Sequence, residues 1–388
     1  IKNDVKFKTK INLNQLNLKI NKLNYSKNEN KNASINIEGI IQKEKEIIIK
    51  NLEYKENNNF IKINNLHLNE NYKIKNIKEL KLNYDTVNKI KNNISLIKNN
   101  KKYILSGKNF DGIQIIKNLT EPDSKGNFFN IFDNLSCSVV LKIDKTYLSQ
   151  SEYLKNLNGD LLITNNQILD ANVEAKYSDK EKFLFNVKTS DKDEKITTVH
   201  SDRAKPFVKN YKFVKGFEEG VLQFQSIKKN NVSKSVLKID NFKVKEVPVL
   251  AKILTLASLQ GIADILTGEG IRFTDFEMIF SKKNNLITID EIYSIGPAIS
   301  IMMSGYVESK KLVSLRGTLV PATTINRTIS SIPILGDILI GKKVGEGVFG
   351  VSFKIKGPPK DLKTTVNPIK TLTPRFITRT LEKIKKTN

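Results

Sequence analysis

Several residue types that carry chemistry are scarce in this chain of 388 residues. The single cysteine, Cys137, excludes an internal disulfide framework and any cysteine-based metal site. The only histidines, His67 and His200, lie far apart in the sequence and in unlike contexts. Two such residues are too few for a histidine metal centre or a Ser-His-Asp arrangement. The composition therefore argues against most metal-dependent and nucleophilic enzymes.

Motifs for catalysis or cofactor binding are also missing. A literal G-x-G-x-x-G occurs at Gly345–Gly350, but the residues that follow alternate like a strand, whereas the dinucleotide fingerprint opens a helix. The carboxylate pairs Asp275/Glu277 and Asp290/Glu291 lie on polar sides of amphipathic strands, where solvated charge is the usual outcome. No P-loop, zinc signature or nucleophile elbow is present. We predict no enzymatic activity, no catalytic residue, no metal and no cofactor.

The sequence also lacks a recognisable signal peptide and a complete membrane span. It begins at Ile1, inside a pattern that is already periodic. We therefore expect a mature portion or a fragment of a longer protein, whose membrane anchor would precede this chain. Its length indicates two or three units, or one elongated unit.

Negative charge is in short supply, because 65 Lys and Arg face 40 Asp and Glu, a net charge of +25. Lys, Asn and Ile are over-used together throughout, which favours compositional drift in an AT-rich genome. The alternative is attraction to an anionic partner, either nucleic acid or a phospholipid surface. No nucleic-acid-binding motif is visible, and aromatic residues are not interleaved with basic clusters, which argues against nucleic acid.

A two-residue periodicity dominates residues 1–247. Leu80, Leu82 and Tyr84 alternate with Lys81 and Asn83, which places apolar side chains on one face of a strand. Similar segments recur at irregular spacing and are separated by Lys-Asn runs that are typical of turns. We predict one antiparallel meander of about 20 strands, which would extend on the order of 100 Å at ~4.8 Å per strand. With few helices to cover it, the apolar face needs a partner, and a curled sheet could shelter acyl chains in a groove.

The pattern changes at Pro248, where a second region, residues 248–388, begins. Residues 249–266 form an apolar stretch interrupted by Lys252, Gln260, Gly261 and Asp264, which favours a buried or interface-lying helix over a membrane span. The C-terminal tail, residues 374–386, is predicted to form a basic amphipathic helix that docks on the groove or contacts a membrane. The further predicted elements are strands over 271–320, a short helix over 325–340, strands over 347–366 and the tail helix over 374–386.

The last 150 residues or so resemble the C-terminal region of AsmA-like proteins of Gram-negative bacteria. The resemblance depends on the order and spacing of short segments. Residues 1–240 match only as a continued meander of strands. The segments are Asn241–Leu250, Leu256–Ile262, Leu266–Ile271, Tyr293–Ala298, Leu315–Pro321, Ile332–Gly336, Gly345–Gly350 and Asn367–Ile369.

The resemblance implies a periplasmic protein anchored to the inner membrane, with a repeating β-groove like that of bridge-like lipid transfer proteins. It also implies a role in phospholipid transport from the inner to the outer membrane and in outer-membrane homeostasis. Expected partners are phospholipids, a membrane surface and other envelope proteins. The alternative is a structural factor that assists outer-membrane protein assembly by offering sheet edges to partners.

Face assignment along the predicted strands and helices gives two sets of candidate residues. The lipid-groove candidates are Phe276, Met278, Phe280, Ile301, Met303, Val313, Leu315, Leu319, Val351, Phe353 and Ile355. The candidates for a helix that contacts a membrane or partner are Leu250, Ile253, Leu254, Ile377, Arg379, Leu381 and Ile384.

Overall fold

The computed structural model of the chain describes residues 4–43, 46–115, 128–191, 193–208, 215–309, 311–321 and 350–369. It is mostly β, with 66% of the described residues in strands, and the prediction of a long antiparallel sheet with few helices is confirmed. The chain divides into two compact units, Ile1–His200 and Ser201–Asn388. The predicted boundary at 247/248 falls inside the second unit.

The described part of the first unit consists almost entirely of strands. They are β1 (Val5–Asn12), β2 (Leu18–Ile20), β3 (Tyr25–Lys27), β4 (Ala33–Ile41), β5 (Ile47–Glu56), β6 (Asn59–Leu68), β7 (Ile74–Asp85), β8 (Lys91–Asn99), β9 (Lys102–Asp111), β10 (Cys137–Tyr147), β11 (Tyr153–Thr164), β12 (Gln167–Lys176) and β13 (Lys182–Thr189). A further strand, β14 (Lys195–Ser201), ends at the unit boundary.

Most neighbours in this sheet are consecutive antiparallel strands. β1 pairs with β4, and β4 to β9 then follow in order. The exception is β9 and β10, which are parallel, so the meander predicted from the sequence is interrupted at this pair. A parallel neighbour requires the chain to return to the starting end of the strand between Asp111 and Cys137.

Asparagine has a clear role in the turns between strands. Asn57, Asn100, Asn230 and Asn284 each adopt a left-handed backbone conformation at a turn that joins two consecutive strands. Asparagine tolerates this conformation better than other non-glycine residues, because its short amide can bond to the local backbone. The abundance of asparagine thus has a structural use at these turns.

The described part of the second unit contains one antiparallel run of strands and three short helices. The strands are β15 (Lys215–Lys229), β16 (Val232–Lys245), β17 (Ile271–Lys283), β18 (Leu286–Ile295), β19 (Ile299–Glu308), β20 (Leu312–Pro321), β21 (Gly350–Gly357) and β22 (Lys363–Ile369). The helices are α1 (Lys205–Val208), α2 (Pro248–Leu256) and α3 (Gln260–Thr267).

The single helix predicted over 249–266 is instead two helices, α2 and α3. The break follows from Ser258, whose φ of 57° is left-handed and stops the right-handed α2. The amide of Leu259 then donates to the carbonyl of Leu254, a bond that closes the C-terminal end of α2. The predicted helices over 325–340 and 374–386 lie outside the described residues.

Candidate functional site

The structure places all eleven lipid-groove candidates on one face of the second unit's sheet. Directly paired residues of neighbouring strands point to the same face, and so do residues two apart in one strand. The candidates form three rows across β17 to β21 and an adjoining position on β20. The rows are Phe276, Ile301, Leu319 and Val351; Met278, Met303 and Phe353; and Phe280, Leu315 and Ile355, with Val313 next to the last row.

Burial divides these candidates into two groups. Five are buried and serve as packing: Ile301, Leu319, Val351, Phe353 and Ile355. Six are half-buried and leave part of their surface free: Phe276, Met278, Phe280, Met303, Val313 and Leu315. The half-buried group is the part of this face that a ligand could contact.

Gly317 lies in the same face, and sequence reasoning gave it no role. It pairs with Met303 on one side and Phe353 on the other. A Cβ at Gly317 would lie 2.6 Å from Cζ of Phe353 and 2.7 Å from Cβ of Met303. The Phe353 ring therefore occupies the space over the glycine, and a larger residue would displace it.

The first unit has a similar apolar face, which sequence reasoning located only as an alternating pattern. One row of aliphatic side chains crosses β4 to β10, and every member is half-buried. Its six inter-strand steps of about 4.8 Å make it about 29 Å long. We call this the central row. It consists of Ile37, Leu52, Ile63, Leu80, Leu96, Leu105 and Leu141.

Buried side chains border the central row on both sides. On one side lies a line of fully packed residues, namely Tyr54, Ile61, Leu82, Ile94, Ile143 and Leu157. On the other side Leu66, Ile77 and Tyr103 form a buried cluster, against which Ile63, Leu80 and Leu96 of the central row pack. The accessible part of the face is therefore a narrow apolar strip that runs across the strands.

Residues 13–30, which contain β2 and β3, cover one margin of this face, and we call them the strap. The buried ring of Tyr25 packs edge-on against Tyr54 and Tyr84, with centroid distances of 5.8 and 5.3 Å. Tyr84 Oη donates to the carbonyl of Leu23 at 2.8 Å. Because Tyr54 and Tyr84 lie at the ends of β5 and β7, the strap crosses the sheet at this margin.

A buried polar cluster fixes the strap to β5. Tyr25 Oη lies 2.6 Å from Tyr54 Oη and donates to the carboxylate of Glu56. Burial alone would raise the pKa of Glu56, but the bonds from Tyr25 and Lys31 outweigh it and hold that pKa below its ordinary value. Burial, with the bonds to Glu56 and Tyr54, raises the pKa of Tyr25 far above its ordinary value. The cluster therefore contains an ionised carboxylate and neutral phenols at pH 7.

Asp111 at the end of β9 provides the second attachment of the strap. Its Oδ2 accepts hydrogen bonds from Asn24 of the strap at 3.2 Å and from Thr86 and Asn88 at 2.8 and 3.0 Å. The backbone amide of Val87 donates to the Asn24 carbonyl. These polar groups are thus hydrogen-bonded to one another within the protein.

The strap is also braced internally. The ammonium of Lys27, which is 1% exposed, donates to the carbonyls of Asn14, Leu16 and Asn28 at 3.2, 2.8 and 3.0 Å. The Asn17 side chain bonds to Glu29 through both its amide and its carbonyl. The strap is therefore a self-supporting hairpin and not a loose loop.

The opposite margin of the first unit's face carries a cation, Lys98. Lys98 follows Leu96 by two residues on β8, so both side chains point to the same face. Its Nζ lies 5.7 Å from the ring centroid of Tyr103 and donates to Asn76 Oδ1 at 2.6 Å. Burial raises the pKa of the nearby Cys137 thiol, and the charge of Lys98 partly opposes that rise.

The predicted contact residues of α2 point inward. Leu250, Ile253 and Leu254 are 7%, 3% and 0% exposed, whereas Leu256 on the outer side is 52% exposed. The helix packs against β22. The other predicted members of this set, Ile377, Arg379, Leu381 and Ile384, lie outside the described residues.

No cluster of three metal-ligating side chains occurs among the described residues, and none of their helices is long and apolar enough to cross a bilayer. Glu277 forms an ion pair with Lys238 at 3.1 Å, an arrangement that needs no chemistry to explain it. Strand β21 begins at Gly350, so the last glycine of the G-x-G-x-x-G match leads into a strand, as the sequence predicts.

No protein-family model, no curated protein and no solved structure matches this chain. The resemblance to AsmA-like proteins therefore stays a prediction from the sequence.

Proposed function

We propose that this chain is a non-enzymatic phospholipid-binding protein that acts in lipid transfer between the inner and outer membranes. Its apolar faces hold acyl chains, while headgroups remain at the wet margins. In this proposal the sheet is curled into a groove around the acyl chains. A segment outside this polypeptide anchors the protein to the inner membrane on its periplasmic side.

The half-buried central row is the observation that carries this proposal. A face filled by its own side chains would be buried throughout, whereas this strip of leucine and isoleucine keeps part of its surface free. Its length of about 29 Å exceeds the ~15 Å thickness of one leaflet's hydrocarbon, half of a core of about 30 Å. One extended acyl chain could thus lie along it. Each buried methylene group would contribute about 0.8 kcal/mol.

The opposite side of the same strands supports a division between apolar and wet surfaces. On β6 and β7, Lys62 and Lys81 alternate with the apolar residues and form ion pairs with Glu53 and Glu79. Solvated ion pairs of this kind keep a sheet face in water and contribute little to stability. Acyl chains would therefore be confined to the apolar side.

The test is native mass spectrometry with lipid extraction on the purified chain. We expect co-purifying phospholipid, and we expect the double change Leu80→Asp and Leu105→Asp to remove it from the first unit. Val313→Asp with Leu315→Asp probes the second unit without touching the fully buried Leu319. Lys62→Asp with Lys81→Asp, on the opposite face, is the matched control. A folded protein that never carries phospholipid would refute the proposal.

A role in outer-membrane protein assembly is the second candidate, and β1 is the observation that favours it. β1 is paired with β4 along one backbone edge, and every side chain of β1 except that of Phe7 is exposed, so its faces are open to a partner. In this role its other edge would accept an added strand. Its lysines, Lys6, Lys8 and Lys10, are however a usual protection against such pairing. Crosslinking to unfolded outer-membrane proteins by a photoreactive residue at position 8 would distinguish the two roles.

A further inference from the structure

The two margins of the first unit's apolar face differ in their polar chemistry. At the strap margin, the carboxylates have donors within the protein: Glu56 has Tyr25 and Lys31, and Asp111 has Asn24, Thr86 and Asn88. The side chains under the strap are buried. The strap therefore leaves a ligand headgroup little space at this margin.

At the opposite margin, Lys98 has only neutral partners. Its ammonium contacts the amide oxygen of Asn76 and the ring of Tyr103, and among the described residues no carboxylate lies within ion-pair distance of it. By contrast, Lys81 on the neighbouring strand β7 is paired with Glu79. A cation that lies on an apolar face without a counter-ion is suited to bind an anion from a ligand on that face.

We propose that Lys98 binds the phosphate of an anionic phospholipid whose acyl chain lies along the central row, so that the headgroup is at the Lys98 margin of the face. This inference rests on the proposed lipid-binding function and adds the position of the headgroup and the charge of the ligand. Leu96 and Lys98 are two residues apart, which places their Cα atoms about 7 Å apart along β8. The glycerol region of a phospholipid can bridge this distance between chain and phosphate.

The neighbouring groups fit this assignment. The Lys98 ammonium lies over the ring of Tyr103, a contact that can remain when the Asn76 contact is exchanged for phosphate. The raised pKa of Cys137 keeps its thiol neutral beside the site, so it does not repel an anion. The ligand class is therefore a phosphodiester or phosphomonoester lipid with at least one long acyl chain.

The experiment compares two probes that share their acyl chains and differ in the phosphate: fluorescently labelled phosphatidylglycerol and equally labelled diacylglycerol. We expect Lys98→Gln to weaken phosphatidylglycerol binding about fivefold to tenfold, equivalent to about 1–1.4 kcal/mol at ~1.4 kcal/mol per factor of ten. Diacylglycerol binding is expected to change less than twofold. Lys98→Arg keeps the charge and is expected to retain binding.

The matched control is Lys142→Gln on β10, which removes an exposed lysine from the opposite face, between Leu141 and Ile143. It is expected to leave both affinities unchanged. Equal losses for both lipids in Lys98→Gln would assign the lysine to packing over Tyr103 and overturn the headgroup contact. Unchanged affinities for both lipids would also overturn it while leaving the central row in place. Failure of the unaltered protein to bind either lipid would instead refute the proposed function itself.

Discussion

Replacing Tyr25 by phenylalanine is the sharpest test of how the strap is held. The change removes one hydroxyl and keeps the ring that packs against Tyr54 and Tyr84. The hydroxyl contacts Tyr54 Oη and donates to the Glu56 carboxylate, which is 2% exposed. A hydrogen bond to a charged group contributes about 1.5–3 kcal/mol, and the buried carboxylate cannot turn to water as a substitute.

We therefore expect Tyr25→Phe to lower the free energy of unfolding of the first unit by about 1.5–3 kcal/mol. For a unit of residues 1–200, about 2–4 °C per kcal/mol gives a fall in Tm of roughly 3–12 °C. Thermal unfolding followed by circular dichroism measures it, and amide hydrogen exchange locates the loss in the strap. Tyr72→Phe is the control, because Tyr72 is 74% exposed and its loss is expected to stay within about 0.5 kcal/mol.

The pH dependence of the stability difference between Tyr25→Phe and the unaltered protein gives an independent check. The folded pKa of Glu56 lies below its ordinary value of 4.5, so the associated stability is present above about pH 4.5 and is lost as the pH falls through the folded pKa. Tyr25→Phe removes one cause of that lowered pKa. The two proteins are therefore expected to differ most near pH 7 and to converge in acid. A Tyr25→Phe protein as stable as the original at pH 7 would show that Lys31 suffices for Glu56 and would refute this reasoning.

Three further experiments test other parts of the structure. Gly317→Ala is expected to destabilise the second unit in denaturant titrations, because its Cβ would lie 2.5 Å from a backbone oxygen of β19. Gly261→Ala is the control: a Cβ at Gly261 would meet no atom within 4 Å, and this change is expected to stabilise the protein by up to about 1 kcal/mol. Leu254→Ala, at a position with 0% exposure, is expected to cost about 2–5 kcal/mol, and Leu256→Ala, 52% exposed, less than about 0.5 kcal/mol. Because burial raises the pKa of Cys137, its alkylation by iodoacetamide at pH 8 is expected to be slower than that of free cysteine, and equal rates would contradict the burial of the thiol.

The sequence by itself determined the class of structure and the faces of its strands. Alternation is a local property, so Leu80 and Leu82 could be assigned to one face without knowing their neighbours. In the second unit the same reasoning selected eleven residues that do share one face. The loss of periodicity at Pro248 likewise marked the point where strands give way to helices.

What the tertiary structure decided was register, burial and the contacts between distant segments. No local pattern indicates that Leu52 and Leu141, 89 positions apart, belong to one row, because the row exists only once six strand pairings are fixed. The parallel pairing of β9 and β10 is likewise a feature that the alternation along either strand does not indicate. The attachment of the strap depends on the contacts of Tyr25 with Tyr54 and Glu56. In the sequence, Tyr54 and Glu56 look like ordinary strand residues. The face to which a side chain points follows from the alternation along its own strand. Which side chains contact each other follows only from the order and register of the strands.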